Sequence, residues 1–160
     1  MSLFRDNKGI MLLNLEQRKT NKDIEVSIIY SEKNKTVERL VSFINSLSIN
    51  IEGYAEDGIK HVNVPDIFYI ESEDKIAVIF CEKEYYRTKY RLYQINEKLA
   101  GFGFVQISKY CLININKLDK IIPLSNRRME AILKNGKRVF ITRKYLYSIK
   151  RALQENLDED

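Results

Sequence analysis

The sequence predicts a mainly β, α+β protein of about ten short strands, with one inserted helix, a C-terminal helix and a short βα segment in front. From residue 49 onward, apolar residues recur with a period of two in short runs. The chain has 10 Tyr and 7 Phe but only 6 Gly and 2 Pro, which favours strands over linkers. Strands and helices do not alternate, which excludes a doubly wound nucleotide-binding sheet.

The first 48 residues are predicted to form a ragged N-terminus (1–22) and a βα accessory segment (23–48). Residues 24–30 (IEVSIIY) alternate and are rich in β-branched side chains, which predicts a strand. A helix is expected next, with Thr36 as its cap. Its apolar residues fall on one stripe at helical spacing: Val37, Leu40, Val41, Ile44 and Leu47.

Residues 50–152 form the predicted main domain. The ten expected strands lie at 49–54, 59–64, 66–71, 76–81, 84–87, 104–107, 111–115, 120–124, 129–133 and 138–141. Asn135-Gly136 predicts a hairpin between the last two strands. The inserted helix is marked by Leu92, Ile95 and Leu99. Thr142 is the expected cap of the C-terminal helix, whose inward face is Leu146, Ile149 and Leu153.

Positive charge is concentrated in the second half of the chain. Residues 101–152 carry twelve Lys and Arg against two acids, whereas residues 1–100 are nearly neutral and the tail 153–160 carries four acids. A balance this one-sided is typical of a surface that binds a polyanion. A solvated, Lys-rich surface on an ordinary domain is the simpler alternative.

No motif in the sequence indicates catalysis, a cofactor or a metal. His61 is the only histidine, and Cys81 and Cys111 lie 30 residues apart without partners at metal-ligand spacing. The apolar stretch 10–13 is too short for a signal peptide or a membrane span. We therefore expect a cytoplasmic protein that is not an enzyme, binds no cofactor, metal or identifiable small-molecule substrate, and is not attached to a membrane.

Cationic residues recur in the loops at predicted strand ends. They are Lys75, Lys109, Arg127, Arg128, Arg143 and Lys144, with Ser108 and Tyr110 beside Lys109. Loops on a rigid sheet can carry long cations into a DNA groove. Arg can donate two hydrogen bonds to guanine, whereas Lys acts as a point charge. Because charged residues collect in loops for solubility as well, no single loop decides the function.

The order of segments resembles the LytTR DNA-binding family over about residues 50–152. Four colinear pieces carry the resemblance: VPDIFYIESEDKIAVIF, YYRTKYRLYQINEKL, FVQISKYCLININKLDKII and RRMEAILKNGKRVFITRKYLYSIKRAL. It implies a flattened arrangement of short sheets, whose loops enter neighbouring major grooves. The implied base-contacting loops are residues 74–75, 108–109 and 143–144, and Lys144 occupies the position of the family's base-contacting Arg. The first two loops carry Lys where members often have His or Asn, which shifts the expectation toward phosphate contacts.

Many members of the family carry a receiver domain, for which residues 1–50 are too short, so the chain resembles the stand-alone members. The predicted function is sequence-specific duplex DNA binding by a bacterial transcription regulator. Two alternatives remain: a protein-interaction module whose basic face binds an acidic partner, and an RNA binder. Bases could stack in the second case on Tyr85, Tyr86, Tyr90 and Tyr93. Whether the chain forms a homodimer or binds in pairs on repeated sites is left open.

Overall fold

The structure is a computed structural model that describes residues 2–6, 9–20 and 22–153. Its helices are α1 (Lys35–Ser46), α2 (Leu92–Lys98) and α3 (Leu146–Leu153). The strands are β1 (Ser2–Asp6), β2 (Gly9–Leu13), β3 (Asn50–Ala55), β4 (Gly58–Asn63), β5 (Tyr69–Glu73), β6 (Ile76–Phe80), β7 (Tyr85–Arg87), β8 (Phe104–Ser108), β9 (Cys111–Asn114), β10 (Leu118–Pro123), β11 (Met129–Leu133) and β12 (Arg138–Ile141).

The N-terminal prediction is wrong in two respects. The expected ragged stretch contains an antiparallel hairpin of β1 and β2. The strand expected at residues 24–30 is absent, and these residues run as exposed, irregular chain. A strand exists only where its backbone finds a neighbouring strand. Residues 24–30 therefore have the alternating pattern of a strand but form no strand with the other described residues.

Helix α1 is confirmed, but Thr36 does not cap it. The cap is Asn34, whose side-chain oxygen accepts a hydrogen bond from the Val37 amide at 3.0 Å. Thr36 lies inside the first turn. Of the predicted stripe only Val37 is buried, and the rest is half-buried or exposed: Leu40, Ile44, Val41 and Leu47.

The ten strands expected in the main domain are confirmed as β3 to β12. Seven form an antiparallel sheet in the order β4-β3-β7-β6-β5-β9-β8, and three form a second sheet in the order β10-β11-β12. The third predicted strand begins three residues late, at Tyr69, because Val64–Asp66 forms a 3-10 turn with Pro65 near its start. The Asn135-Gly136 hairpin is also confirmed, with Gly136 at a φ of 86°.

Two cores lie on opposite sides of the central strands. The first includes Ile70 and Leu112, together with the inner residues of α2. The second includes Tyr69 and Ile113, together with the three-stranded sheet and Ile149 of α3. Because neighbouring residues of β5 and β9 point to opposite faces, both strands are buried on both sides. The main domain therefore has three layers, and its central strands are fixed rigidly.

Candidate nucleic-acid interface

The predicted cations lie in four loops at the ends of strands. We call them loop 1 (residues 74–75, between β5 and β6), loop 2 (108–110, between β8 and β9), loop 3 (143–144, after β12) and the tip (126–128, between β10 and β11). Strand pairing and three sets of backbone hydrogen bonds place all four along one edge of the molecule, which we call the loop edge.

Loop 1 and loop 2 are joined through β5 and β9. Glu71 pairs with Cys111, and the Ser72 amide donates to the carbonyl of Tyr110 at 2.8 Å. The end of β5 therefore lies beside the turn that precedes β9. Lys75 follows Ser72 by three residues, so its turn extends beyond loop 2 at the same edge.

Loop 2 and loop 3 are joined through Thr142. Its amide donates to the carbonyl of Ile107 at 2.9 Å, and its hydroxyl donates to the same oxygen at 3.4 Å. The prediction that Thr142 caps the last helix is therefore wrong. Residues Arg143–Tyr145 form a 3-10 turn, and α3 begins only at Leu146. Thr142 instead connects the end of β12 to the end of β8.

Loop 3 and the tip are joined through the three-stranded sheet. Ile141, the last residue of β12, pairs with Met129, the first residue of β11. The tip ends at Arg128, whose carbonyl accepts a hydrogen bond from the Leu124 amide at 2.7 Å. Loop 3 and the tip thus leave the same end of the same sheet.

The loop edge carries cations that have no carboxylate partner among the described residues. Lys75, Lys109, Arg127, Arg128, Arg143 and Lys144 are all exposed, and none of them forms an ion pair within the described residues. Arg138, on β12, contrasts with them because it donates to both oxygens of Glu130 at 2.8 and 3.1 Å. These hydrogen bonds hold the pKa of Glu130 below its usual range. These exposed cations can attract an anion.

The part of the chain that forms the loop edge matches a known family of domains. The family model of the LytTr DNA-binding domain matches residues 57–154, which is more than half of the chain. The chain belongs to the LytTR family. The LytTR match begins in the β3–β4 turn and ends at α3, so it contains all four loops.

Two bacterial proteins are similar in sequence to this chain. An uncharacterized HTH-type transcriptional regulator of Staphylococcus aureus strain NCTC 8325 is 26% identical over 146 residues, covering 90% of this chain and 99% of that protein. The sensory transduction protein LytT of Enterococcus faecalis is 31% identical over 108 residues, covering 68% of this chain and 44% of that protein. The Staphylococcus match therefore includes much of the N-terminal segment as well.

A solved structure shows the same fold. A LytTr DNA-binding domain from Bacillus cereus, 22% identical, superposes with a TM-score of 0.62 and covers 66% of this chain and 97% of that one. Within the described residues no two α-helices are consecutive, because a strand follows α1 and another follows α2. The described LytTR domain therefore contains no helix-turn-helix unit.

Loop 1 and the tip have unusual backbone conformations. Asp74 and Lys75 have φ values of 48° and 68°, and Asn126 and Arg127 have values of 63° and 59°. Two consecutive residues with positive φ match the twist of a tight hairpin, but non-glycine residues there cost about 1 kcal/mol each. Conformations of this kind persist where the surrounding structure enforces them, and they cluster at functional sites.

Three of the loop cations lie over neighbouring aromatic rings. Lys109 Nζ is 5.5 Å from the centre of the Tyr110 ring, Lys144 Nζ is 5.6 Å from that of Tyr145, and Arg128 Cζ is 5.7 Å from that of Phe140. Cation–π contacts restrict long side chains while leaving their charge accessible. The contacts reduce the conformational entropy that these cations would lose on binding.

Some residues of the loop edge position others, and sequence analysis missed several of them. Ser108 is half-buried, and its hydroxyl accepts a hydrogen bond from the Tyr110 amide at 3.2 Å, so it shapes loop 2. Ser72 and Thr142 join the loops, and Phe140 supports Arg128. No local signal marks such residues, because their partners are distant in the sequence.

The tyrosines considered for RNA stacking do not form a common exposed surface. Tyr86 is buried, with its hydroxyl bonded to Glu84, and Tyr90 is half-buried beneath Lys98. Only Tyr85 and Tyr93 of the four are exposed. Stacking of successive bases requires exposed rings in a row, so this arrangement gives the RNA alternative no support.

Within the described residues, no His, Cys, Asp and Glu side chains come together as a group that could hold a metal ion. The helices of this part of the chain also lack the combination of length and apolarity needed to cross a bilayer. Burial raises the pKa of the Cys81 thiol to about 11 and that of Cys111 to about 12. Both thiols therefore remain protonated near neutral pH.

Proposed function

We propose that the chain is a bacterial transcription regulator that binds specific duplex DNA sites with its loop edge. One observation carries the proposal. Four loops, distant in the sequence, meet along one edge of a rigid three-layer domain, and their exposed cations have no carboxylate partner within the described residues. Membership of a DNA-binding family supports it.

The loops are assigned different roles. Lys75, Lys109 and Lys144 lie on the three loops whose positions correspond to the family's base-contacting loops, and we assign base contacts first to Lys109 and Lys144. The rings of Tyr110 and Tyr145 hold the two ammonium groups near the loop edge. An ammonium group can donate to guanine O6 and N7. Arg127 and Arg128, at the tip, are assigned to phosphates. Ser108 and Tyr110 shape loop 2, and Arg143 supplies charge beside Lys144.

The proposal assigns no reaction to the chain. The same charge could also support binding to an acidic protein, and an experiment can distinguish the two functions. A protein partner would be recognised without regard to base sequence, whereas a regulator must discriminate between DNA sites. The deciding property is therefore sequence preference.

The test is selection of bound sites from random duplex DNA by the full chain. We expect a clear motif after a few rounds. The matched variants are Lys109→Ala with Lys144→Ala, and Lys98→Ala as a control. Lys98 also lies over a tyrosine ring, at 4.9 Å, but on α2 outside the loop edge. The control should recover the wild-type motif and the double variant should not. Selection that enriches no motif contradicts the proposal.

A further inference from the structure

Exposed apolar side chains are concentrated in the N-terminal segment. Of the seventeen large apolar side chains exposed in the described part of the chain, eleven lie between Met11 and Leu47. Ile24 is 94% exposed and Ile29 is 97% exposed. Contiguous exposed apolar surface usually marks a place where another surface binds.

Residues 24–30 within this segment have the pattern of a strand but no strand partner. Ile24, Val26, Ile28 and Tyr30 alternate with other residues and would share one face. This stretch has no regular secondary structure, and no backbone hydrogen bond to any strand is described for it. Its seven residues have the alternating pattern of a strand but no partner among the described strands.

Strand β4 provides an open edge of matching length. It has six residues and ends the seven-stranded sheet, pairing only with β3 among the described strands. Gly58 pairs with Ala55 across a two-residue turn, and Val64 donates to Ile49 at the other end. The alternation of an antiparallel pair then turns three backbone N–H and C=O pairs outward: those of Ile59, His61 and Asn63.

The charges and apolar surfaces of the two elements are complementary. Residues 23–30 contain two carboxylates, on Asp23 and Glu25, and no Lys or Arg. Strand β4 contains Lys60 and no acid. Lys60 already forms an ion pair with Glu84 at 3.4 Å, in which both side chains remain more than half exposed. Ile59, 62% exposed, extends an outer face that also carries the half-buried Tyr54 of β3. An added strand would cover Ile59 and bring carboxylates near Lys60.

We propose that residues 24–30 of one chain add as a strand to the outer edge of β4 in a second copy, so that two copies exchange strands and form a dimer. Within the described residues of one chain both the segment and the β4 edge are unpaired, and exchange satisfies both at once. Two loop edges would then be held in a fixed relation within one particle. The dimer does not depend on DNA binding and goes beyond the proposed function.

The test combines two measurements on the full chain. Sedimentation equilibrium between about 1 and 100 µM gives the mass, because a dimer's population depends on protomer concentration. Amide hydrogen exchange at Ile59, His61 and Asn63 reports pairing at the β4 edge. We expect the mass of two chains at the upper concentrations, together with slowed exchange at these three amides.

Paired proline variants localise the effect. Val26→Pro with Ser27→Pro removes two adjacent amides, one of which faces the edge in either register, and should weaken the dimer by more than about tenfold. Ser31→Pro with Glu32→Pro, just beyond the segment, should dimerise like wild type. His61→Pro blocks the edge itself at an amide that β3 does not use and should weaken the dimer comparably.

Each contrary outcome overturns the proposal. A wild-type chain that stays monomeric throughout the range has no such dimer. Protected β4 amides in a monomer would place residues 24–30 on their own chain. A dimer with unprotected β4 amides, or one that the Val26→Pro and Ser27→Pro pair leaves intact, would use another surface.

Discussion

The N-terminal segment and the LytTR domain contain similar patterns of apolar residues, but these residues are mostly exposed in the first and buried in the second. Ile113, in β9, is fully buried between two cores, whereas Ile29, in a stretch of equally strand-like pattern, is 97% exposed. The pattern specifies which residues share a face. Burial requires a second surface, and β9 has strands on both sides whereas residues 24–30 have none among the described residues.

The largest expected effect compares these two isoleucines directly. Ile113→Ala should lower the free energy of unfolding by about 2–5 kcal/mol, because it leaves a cavity between packed layers. Ile29→Ala should change it by less than about 0.5 kcal/mol at concentrations where the chain is monomeric. Urea unfolding followed by circular dichroism measures both. Equal losses would show that the N-terminal segment is packed within the single chain.

A smaller effect is expected at the tip. Arg127→Ala and Arg128→Ala should each weaken binding to a selected duplex and to its scrambled version alike, because phosphates carry no sequence information. If about six phosphates are contacted, the wild-type slope of log affinity against log salt is near −5, and each variant should reduce it by about 1. Affinities measured at several salt concentrations test this. A loss confined to the selected duplex would assign base contacts to the tip instead.

A still smaller effect is expected when the contributions of two carboxylates to stability are compared. The pKa of Glu130 is lowered by hydrogen bonds from Arg138, and that of the more exposed Glu38 is lowered by Lys35. A lowered pKa stabilises the fold above about pH 4.5, the ordinary value, and this stabilisation is lost as pH falls through the lower folded value.

Glu130→Gln should therefore reduce the melting temperature at pH 7 more than Glu38→Gln does. The difference between wild type and Glu130→Gln should shrink as the pH falls below 4.5. Melting curves between pH 7 and pH 3 give the comparison. A difference that grows toward acid pH would contradict the assignment of the ion pair.

The smallest expected effect is on base preference when residues 1–48 are removed. The loops and the hydrogen bonds that join them lie between residues 72 and 145, so the selected DNA motif should not change. The melting temperature should fall, because Val37 of α1 is buried. Site selection with a truncated chain that still melts cooperatively is the measurement. A different motif would mean that the N-terminal segment contacts bases.

Much of the LytTR domain could be predicted from the sequence because its signals are local. The ten strands and α2 follow from apolar spacing, and β11 and β12 begin and end at the predicted residues. Failures occurred where a non-local partner decides. Thr142 resembles a helix cap, but its amide and hydroxyl donate to the carbonyl of Ile107, which lies 35 residues away. Residues 24–30 resemble a strand, but none of the described strands pairs with them.

The residues of the candidate site could be predicted from the sequence, but the way the loops are arranged could not. Strand-end position identified every cation of the loop edge. The order of the loops along that edge depends on pairings such as Glu71 with Cys111 and Met129 with Ile141, which join segments distant in sequence. The positive φ values of Lys75 and Arg127 could not be predicted either, because neither residue type favours that conformation.

The most direct test of the loop edge is the affinity of Lys109→Ala and Lys144→Ala for a selected duplex and its scrambled version at one fixed salt concentration. Each variant should lose about 1–3 kcal/mol on the selected duplex and clearly less on the scrambled one, because a base contact is lost only where the right base is present. Equal losses on both duplexes, or no loss on either, would contradict base recognition by loops 2 and 3.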